Sequence, residues 1–236
     1  MKPVVIMDPP RADAAVVAEL GELGVATVHE AAGKTGLLGT FLRPAWTGAR
    51  AAGTALTVLC GPGDNLMLHA AIEQARPGDL LVVTTTSPSS DGFAGELITT
   101  GLAARGVRGL VTTTGVRDVA AITEARFPVW SQFVSAQGTL KAIAGAVNMP
   151  VSIGGTVIAP GDAVVADDDG VVCIPRAQAA QVAADGRRRA QHEDEARDAF
   201  ARGELGLDRY QLRAVLERLG VTYVRAEQSR PAGGER

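Results

Sequence analysis

One stretch of the chain, RGVRGLVTTTGVRDVAA at residues 105–121, sets an arginine beside an aspartate directly after an apolar run. Residues 107–111 read as a buried strand, the following threonine–glycine run as a break, and Asp118 as the start of a short helix to residue 125. In α/β proteins ligands gather outside the carboxyl ends of the strands. A guanidinium there can hold a carboxylate through two parallel hydrogen bonds, and a carboxylate can hold a hard divalent cation. The pair Arg117–Asp118 therefore reads as a site for a 2-oxo acid and a metal. On residue type alone Asp118 serves equally well as an ordinary helix N-cap, and Arg117 as a surface or helix-pairing arginine.

A second candidate lies just upstream, where Gly95, Glu96, Leu97 and Ile98 begin a helix expected over residues 94–104. A helix start leaves backbone N–H groups without partners and carries the positive end of the helix dipole. The amides of Leu97 and Ile98 could hold a carboxylate clamped from its other side by Arg117, with Glu96 near metal-bound waters. An ordinary helix start with an acidic first turn explains the same residues.

Other chemistries find less support. Gly33-Lys34-Thr35 resembles the end of a phosphate loop, but Val28 stands where the first glycine belongs, so the stretch reads as a turn with a solvated Lys34. His29, His69 and His192 form no HxH or HxxxH pair, which leaves a histidine zinc site unsupported; His69 reads as a core-facing or edge histidine. Cys60 and Cys173 lie in apolar runs without CxxC spacing and read as buried thiols. Asp167, Asp168 and Asp169 lack the spacing and terminal glutamate of a calcium loop and read as a hairpin turn. There is no GxSxG elbow, and Lys141, in GTLKAI, is the one lysine considered for Schiff-base chemistry.

The elements that must position these residues follow from pattern. The chain has 236 residues and 46% hydrophobic composition, enough for a real core, and only 4% aromatics, so Ala, Val and Leu must fill it. Its formal charge of -3 gives no electrostatic case for nucleic acid or membrane binding. No signal segment or bilayer-length apolar run is visible, so the expected location is cytoplasmic. After a loose start over residues 1–10, helical patterns run over 12–23 and 27–32 and are separated at Gly24. Strands are expected over 48–60, 80–85, 107–111, 128–135 and 150–158, and a hairpin over 163–166 and 170–174. Asp64 reads as the N-cap of a helix over 65–75. Charged helix follows from residue 176 to about 201, and a last helix over 209–219. Residues 1–224 thus read as a single α/β domain with a mixed central sheet and a helical C-terminal arm, and residues 225–236 as a disordered polar tail.

Taken in order, GPGDNLMLHAAIEQARPGDLLVV, GELI, RGVRGLVTTTGVRD, SAQGTLKAIAGAVNMPV, PGDAVVADDDGVVCIP and GELGLDRYQLR resemble the class II 4-hydroxy-4-methyl-2-oxoglutarate / 4-carboxy-4-hydroxy-2-oxoadipate aldolases, a group shared with ribonuclease E activity regulators. The resemblance runs from about residue 27 to residue 223. It implies a swivelling β/β/α-type domain, assembly into homotrimers or homohexamers with active sites between subunits, and Mg2+ or Mn2+ as cofactor. The implied activity is cleavage or decarboxylation of small 2-oxo acids, oxaloacetate included, to give pyruvate. By position, Arg117 matches the arginine on the pyruvate carboxylate and Asp118 the metal ligand. Gly95, Glu96, Leu97 and Ile98 match the substrate-holding loop, and Glu193, or the nearby Glu195, a glutamate lent by a neighbouring subunit. The regulator branch typically lacks this aspartate, so Asp118 favours the enzyme over a non-catalytic regulator of ribonuclease activity that acts by protein binding. Thr112-Thr113-Thr114 departs from the aldolases, which often carry an acidic residue there.

Overall fold

The structure is a computed structural model that describes residues 2–225. Its elements, in order, are β1 (Val4–Val5), α1 (Ala14–Ala31), β2 (Arg43–Pro44), β3 (Ala51–Cys60), α2 (Leu66–Gln74), β4 (Asp79–Thr85), β5 (Gly92–Ala94), α3 (Glu96–Ala104), β6 (Leu110–Val116), α4 (Val119–Glu124), β7 (Val129–Val134) and β8 (Ala146–Val147). There follow β9 (Val151–Ile153), β10 (Thr156–Ile158), β11 (Ala163–Asp167), β12 (Gly170–Ile174), α5 (Ala179–Ala201), α6 (Gly206–Arg209) and α7 (Leu212–Arg218). The described chain divides into two compact units, one up to Ala190 and a smaller one from Gln191 onward.

The first unit is built on a ten-stranded mixed sheet with the path β1-β8-β3-β4-β6-β7-β2. Strands β3, β4, β6 and β7 run parallel at its centre. β11 pairs antiparallel with β3 and β12, and the short β5 adds to β6. The central strands read as near-continuous apolar runs because both of their faces are covered. In β4, Leu81 and Val83 pack with Met67, Leu68 and Leu102 from α2 and α3. Leu80 and Val82 point to the opposite face and pack with Leu38, Trp130, Ile153 and Val164. This is the two-residue alternation of a strand expressed as two separate cores. A third cluster joins Val17, Leu20, Val25 and Val28 of α1 to the β11–β12 hairpin and the first turns of α5.

Helix α1 is broken at Gly24 (φ 79°), where the sequence pattern placed its interruption. Asp13 caps the first half, accepting from the N–H groups of Ala15 and Val16 at 2.9 and 3.1 Å. Asp167 caps the second half, accepting from Val25 N–H at 2.8 Å. The smaller unit contains α6 and α7, with Phe200 edge-on to Tyr210 and Arg213 paired with Asp208. Among the described residues no helix is long and apolar enough to cross a membrane.

Several expectations are corrected. The loose start contains β1, which pairs parallel with β8. The strand expected over 107–111 begins later and runs through Thr112–Gly115 to Val116, because the buried Thr112 and Thr114 hydroxyls bond each other at 2.6 Å instead of ending it. The strand expected over 150–158 is a hairpin turned at Gly154 (φ 58°) and Gly155 (φ 83°). The helix expected over 209–219 is split at Gln211 (φ 55°). The N-cap position of α2 is Asn65, although the Asp64 carboxylate does accept from Leu66 N–H at 2.9 Å. His69 is exposed. Of the tail expected from residue 225, all but Arg225 lies outside the described residues.

Candidate active site

Two strand ends delivered side by side create the site. β5 lies parallel to β6 with Ala94 opposite Val116. Arg117 N–H donates to the Ala94 carbonyl at 2.9 Å, so the chain leaves both strands at the same level. After β5 comes Gly95 and then the first turn of α3, while after β6 come Arg117, Asp118 and α4. Sheet pairing thus brings two sequence candidates 22 residues apart into one place.

Asp118 takes the left-handed backbone conformation (φ 55°, ψ 36°), which is uncommon for a non-glycine residue and turns its side chain away from its own helix. It makes no side-chain cap on α4. Instead its Oδ2 accepts from Glu96 N–H at 3.2 Å, across the gap, at the start of α3. The guanidinium Nε of Arg117 stands 3.8 Å from the same oxygen, and both side chains are about half exposed. A Cβ at Gly95 would fall 2.3 Å from Asp118 Oδ2 and 3.0 Å from Arg117 Cγ, so the close approach needs glycine. Leu97 and Ile98 occupy the first turn of α3, where backbone N–H groups have no intrahelical acceptor. Leu97 is 80% exposed, and both Leu97 and Ile98 line an accessible space.

That space is a cavity of about 110 Å3 lined by Asn65, Phe93, Gly95, Leu97, Ile98, Arg117, Asp118, Gly138, Thr139 and Lys141, among others. Arg117 and Asp118 also line an adjoining groove of about 380 Å3, whose far side is Val134, Ser135 and Ala136. The wall at 138–143 is held by Asp64, which is 1% exposed. Its Oδ2 accepts from the N–H groups of Ala142 and Ile143, the latter at 3.0 Å. Two backbone bonds, Asn65 N–H to Leu140 O at 3.0 Å and Leu140 N–H to Gly63 O at 2.8 Å, close the clamp. Burial raises the pKa of the Asp64 carboxyl, but the N–H groups of Ala142, Leu66 and Ile143 and the nearby Lys141 ammonium outweigh it and hold the group below the usual carboxylate range.

Of the residues singled out in the sequence, Gly95, Glu96, Leu97, Ile98, Arg117 and Asp118 are brought together. Lys141, considered for Schiff-base chemistry, is an exposed side chain on the cavity wall. Glu193 lies on α5 within the second unit, and Glu195, two residues on, pairs with His192 at 3.7 Å. The Asp167–Asp169 run is structural: both Asp168 oxygens accept from Gly48 N–H, at 2.9 and 3.0 Å, and Asp167 is occupied by Val25. Sequence reasoning missed Asn65, Gly138 and Thr139. Asn65 stands next to Asp64 in the GPGDN turn, and Gly138 opens the GTLK run, but only the tertiary clamp makes them neighbours of Arg117.

Among the described residues no three His, Cys, Asp or Glu side chains converge as a metal cage. The donor set at Asp118 fits a different type of cation. It offers one hard carboxylate, half open, with Glu96 nearby and space around it. Mg2+ and Mn2+ accept such a site because they keep several waters and need few protein oxygens.

Comparison with known proteins places the chain in a family. It is 32% identical over 166 residues to a putative 4-hydroxy-4-methyl-2-oxoglutarate aldolase of Halalkalibacterium halodurans, covering 70% of this chain and 78% of that one. It is 35% identical over 142 residues to a protein of the same description from Burkholderia multivorans, covering 60% and 86%. Its fold matches the crystal structure of Streptomyces coelicolor RraAS2, described as an unusual member of the RNase ES inhibitor RraA protein family, with a TM-score of 0.73 and 27% identity over 80% of this chain and 99% of that chain. The RraA-like family model, described as Aldolase/RraA, matches residues 15–173, a span that holds β6, the start of α3 and the Asp64 clamp together. The family model and the curated relatives together show that the chain belongs to the RraA-like family.

Proposed function

We propose that this chain is a divalent-metal-dependent aldolase. Its substrate is a 4-hydroxy-2-oxo acid such as 4-hydroxy-4-methyl-2-oxoglutarate or 4-carboxy-4-hydroxy-2-oxoadipate, cleaved to pyruvate and a second oxo acid. Oxaloacetate decarboxylation at the same site is a side activity. One observation carries the reading: Arg117, Asp118 and the open amides of α3 meet around a glycine that leaves no room for a side chain.

In this account Arg117 grips the substrate's C1 carboxylate, and the N–H groups of Leu97 and Ile98 take its other lone pairs. Asp118 would hold Mg2+ or Mn2+, which when bound would supply Lewis-acid stabilisation of the negative charge that develops on the substrate. A water oriented by Glu96 accepts the proton of the 4-hydroxyl, helped by Glu193 of a neighbouring subunit. The C3–C4 bond then breaks, C4 becomes a carbonyl, and its electron pair passes into the pyruvate part, which is protonated at C3. Arg117 contributes by facing the growing negative charge from a fixed position. The protein works as a homotrimer or homohexamer in the cytoplasm, with the active site closed between subunits. Leu97, Val134 and Leu140, which are 80%, 70% and 70% exposed around the cavity, are apolar side chains that a second subunit would cover.

The same apolar rim favours one other reading, a regulator that binds a ribonuclease through this surface. A pyruvate-release assay separates the two. The aldolase reading expects pyruvate from 4-hydroxy-4-methyl-2-oxoglutarate and from oxaloacetate in the presence of Mg2+ or Mn2+, and none after chelation. No pyruvate from either substrate with either metal would favour the regulator.

A further inference from the structure

We propose that Asn65 is a specificity-determining residue whose side-chain oxygen accepts a hydrogen bond from the 4-hydroxyl of the substrate, and so favours hydroxylated 2-oxo acids over those that lack a donor there. This rests on the aldolase reading and adds a residue to it.

Asn65 lines the cavity that holds Arg117, Asp118 and Lys141, and only 6% of it is exposed. Its Nδ2 donates to the Phe93 carbonyl at 2.8 Å, a buried bond that fixes which way the amide faces. Phe93 O can only accept, so the nitrogen must be on that side and the oxygen on the other. The Oδ1 so directed is buried and has no hydrogen-bond partner. The side chain is not spent on the helix start either, since Asn65 occupies the N-cap position of α2 without a side-chain cap bond. Buried polar atoms without partners are rare, and this one belongs to a residue that lines the cavity, so a ligand donor that reaches past the wall would satisfy it.

The chemistry of the remaining walls decides what that donor is. Arg117, Lys141 and the first-turn amides of α3 are all donors, suited to the carboxylate and oxo oxygens of a 2-oxo acid. An amide oxygen repels those groups. Pyruvate and oxaloacetate in its keto form offer nothing but acceptors apart from C–H. A 4-hydroxy-2-oxo acid offers one O–H. Asn65 Oδ1 is thus matched to the feature that distinguishes the aldol substrate from the decarboxylation substrate. A neutral amide oxygen does not take the proton away; it orients the hydroxyl so that the proton leaves to another acceptor.

The test compares two activities within each variant, so that general damage cancels. Wild type, Asn65→Leu and Asn65→Asp are assayed with Mg2+ for cleavage of 4-hydroxy-4-methyl-2-oxoglutarate and for decarboxylation of oxaloacetate. Asn65→Leu removes the acceptor while keeping the branching at Cγ, and the ratio of the two kcat/KM values is expected to fall by about tenfold or more, carried mainly in KM for the hydroxylated substrate. Asn65→Asp also loses the bond to Phe93 O but keeps an acceptor, and its ratio is expected to stay near that of wild type. A ratio unchanged in Asn65→Leu, or lowered alike in both variants, would overturn the proposal and leave the aldolase reading standing. A wild-type protein inactive on both substrates would instead overturn the aldolase reading and this proposal together.

Discussion

Two of the turns that carry aspartates look similar in the sequence: the Arg117–Asp118 turn after β6 and the Asp167–Asp169 turn between β11 and β12. They differ in what their oxygens already hold. Asp167 accepts from Val25 N–H at 2.8 Å with one oxygen and from Asp169 N–H at 2.9 Å with the other, and both oxygens of Asp168 are used on Gly48. Asp118 has one backbone contact, at 3.2 Å, and faces an arginine and a cavity. A carboxylate saturated by backbone donors serves the fold, because each of those N–H groups would otherwise lack a partner. A carboxylate held by one weak contact in a strained backbone conformation is free to take a ligand.

Substitutions on the two sides should therefore separate activity from stability. The largest effect is expected at the open turn. Asp118→Ala and Arg117→Ala should each lower pyruvate release on the order of a hundredfold or more, while the unfolding free energy in urea changes by no more than about 0.5 kcal/mol for the exposed Arg117 and by about 1 kcal/mol for Asp118, whose left-handed backbone and bond to Glu96 N–H suit aspartate better than alanine. Arg117→Lys should not restore the rate, because an ammonium cannot make the two-pronged contact. Gly95→Ala comes next. Its methyl group would meet Asp118 Oδ2 at 2.3 Å and push the carboxylate aside, and a displacement of that kind costs on the order of tenfold to a hundredfold in kcat/KM. Asp167→Ala reverses the pattern. It removes the cap from the second half of α1 and should cost about 1–2 kcal/mol in urea unfolding, with kcat/KM per folded molecule unchanged. A loss of activity in Asp167→Ala without a loss of stability would erase the contrast.

Much of this was legible in the sequence, and the rest was not for identifiable reasons. The buried runs of β3 and β4, the hairpin across Asp167–Asp169 and the break at Gly24 follow from periodicity and glycine placement, which are local properties. The Arg117–Asp118 pair was visible as a candidate, but its choice between N-cap and ligand was not. That choice depends on the left-handed φ of 55° at Asp118 and on the neighbouring α3, neither of which residue type encodes. β5 escaped because three residues, Gly-Phe-Ala, carry no pattern, yet it is the strand that brings Gly95 to Asp118. Asn65 and Thr139 became site residues only through the bridge between Asp64 and Leu140, a contact across more than seventy positions.

The clamp at Asp64 supplies the smallest predicted effect and a pH signature. Its folded-state pKa is lowered, so its contribution to stability is complete above the unfolded value, near 4, and is lost as pH falls through the folded value. Asp64→Asn should therefore flatten the acid limb of stability against pH below about pH 4. At neutral pH it should loosen the wall at 138–143, read as faster amide exchange at Ala142 and Ile143, whose N–H groups it holds.

The central claim, that Asp118 and Arg117 form a metal-assisted 2-oxo acid site, is tested most directly by calorimetric titration of pyruvate into the protein with and without Mg2+. Binding is expected to require Mg2+ in the wild type, to be lost in Asp118→Ala, and to be weakened in Arg117→Ala with the fold intact. Pyruvate binding of equal strength without metal, or undiminished in Asp118→Ala, would contradict it.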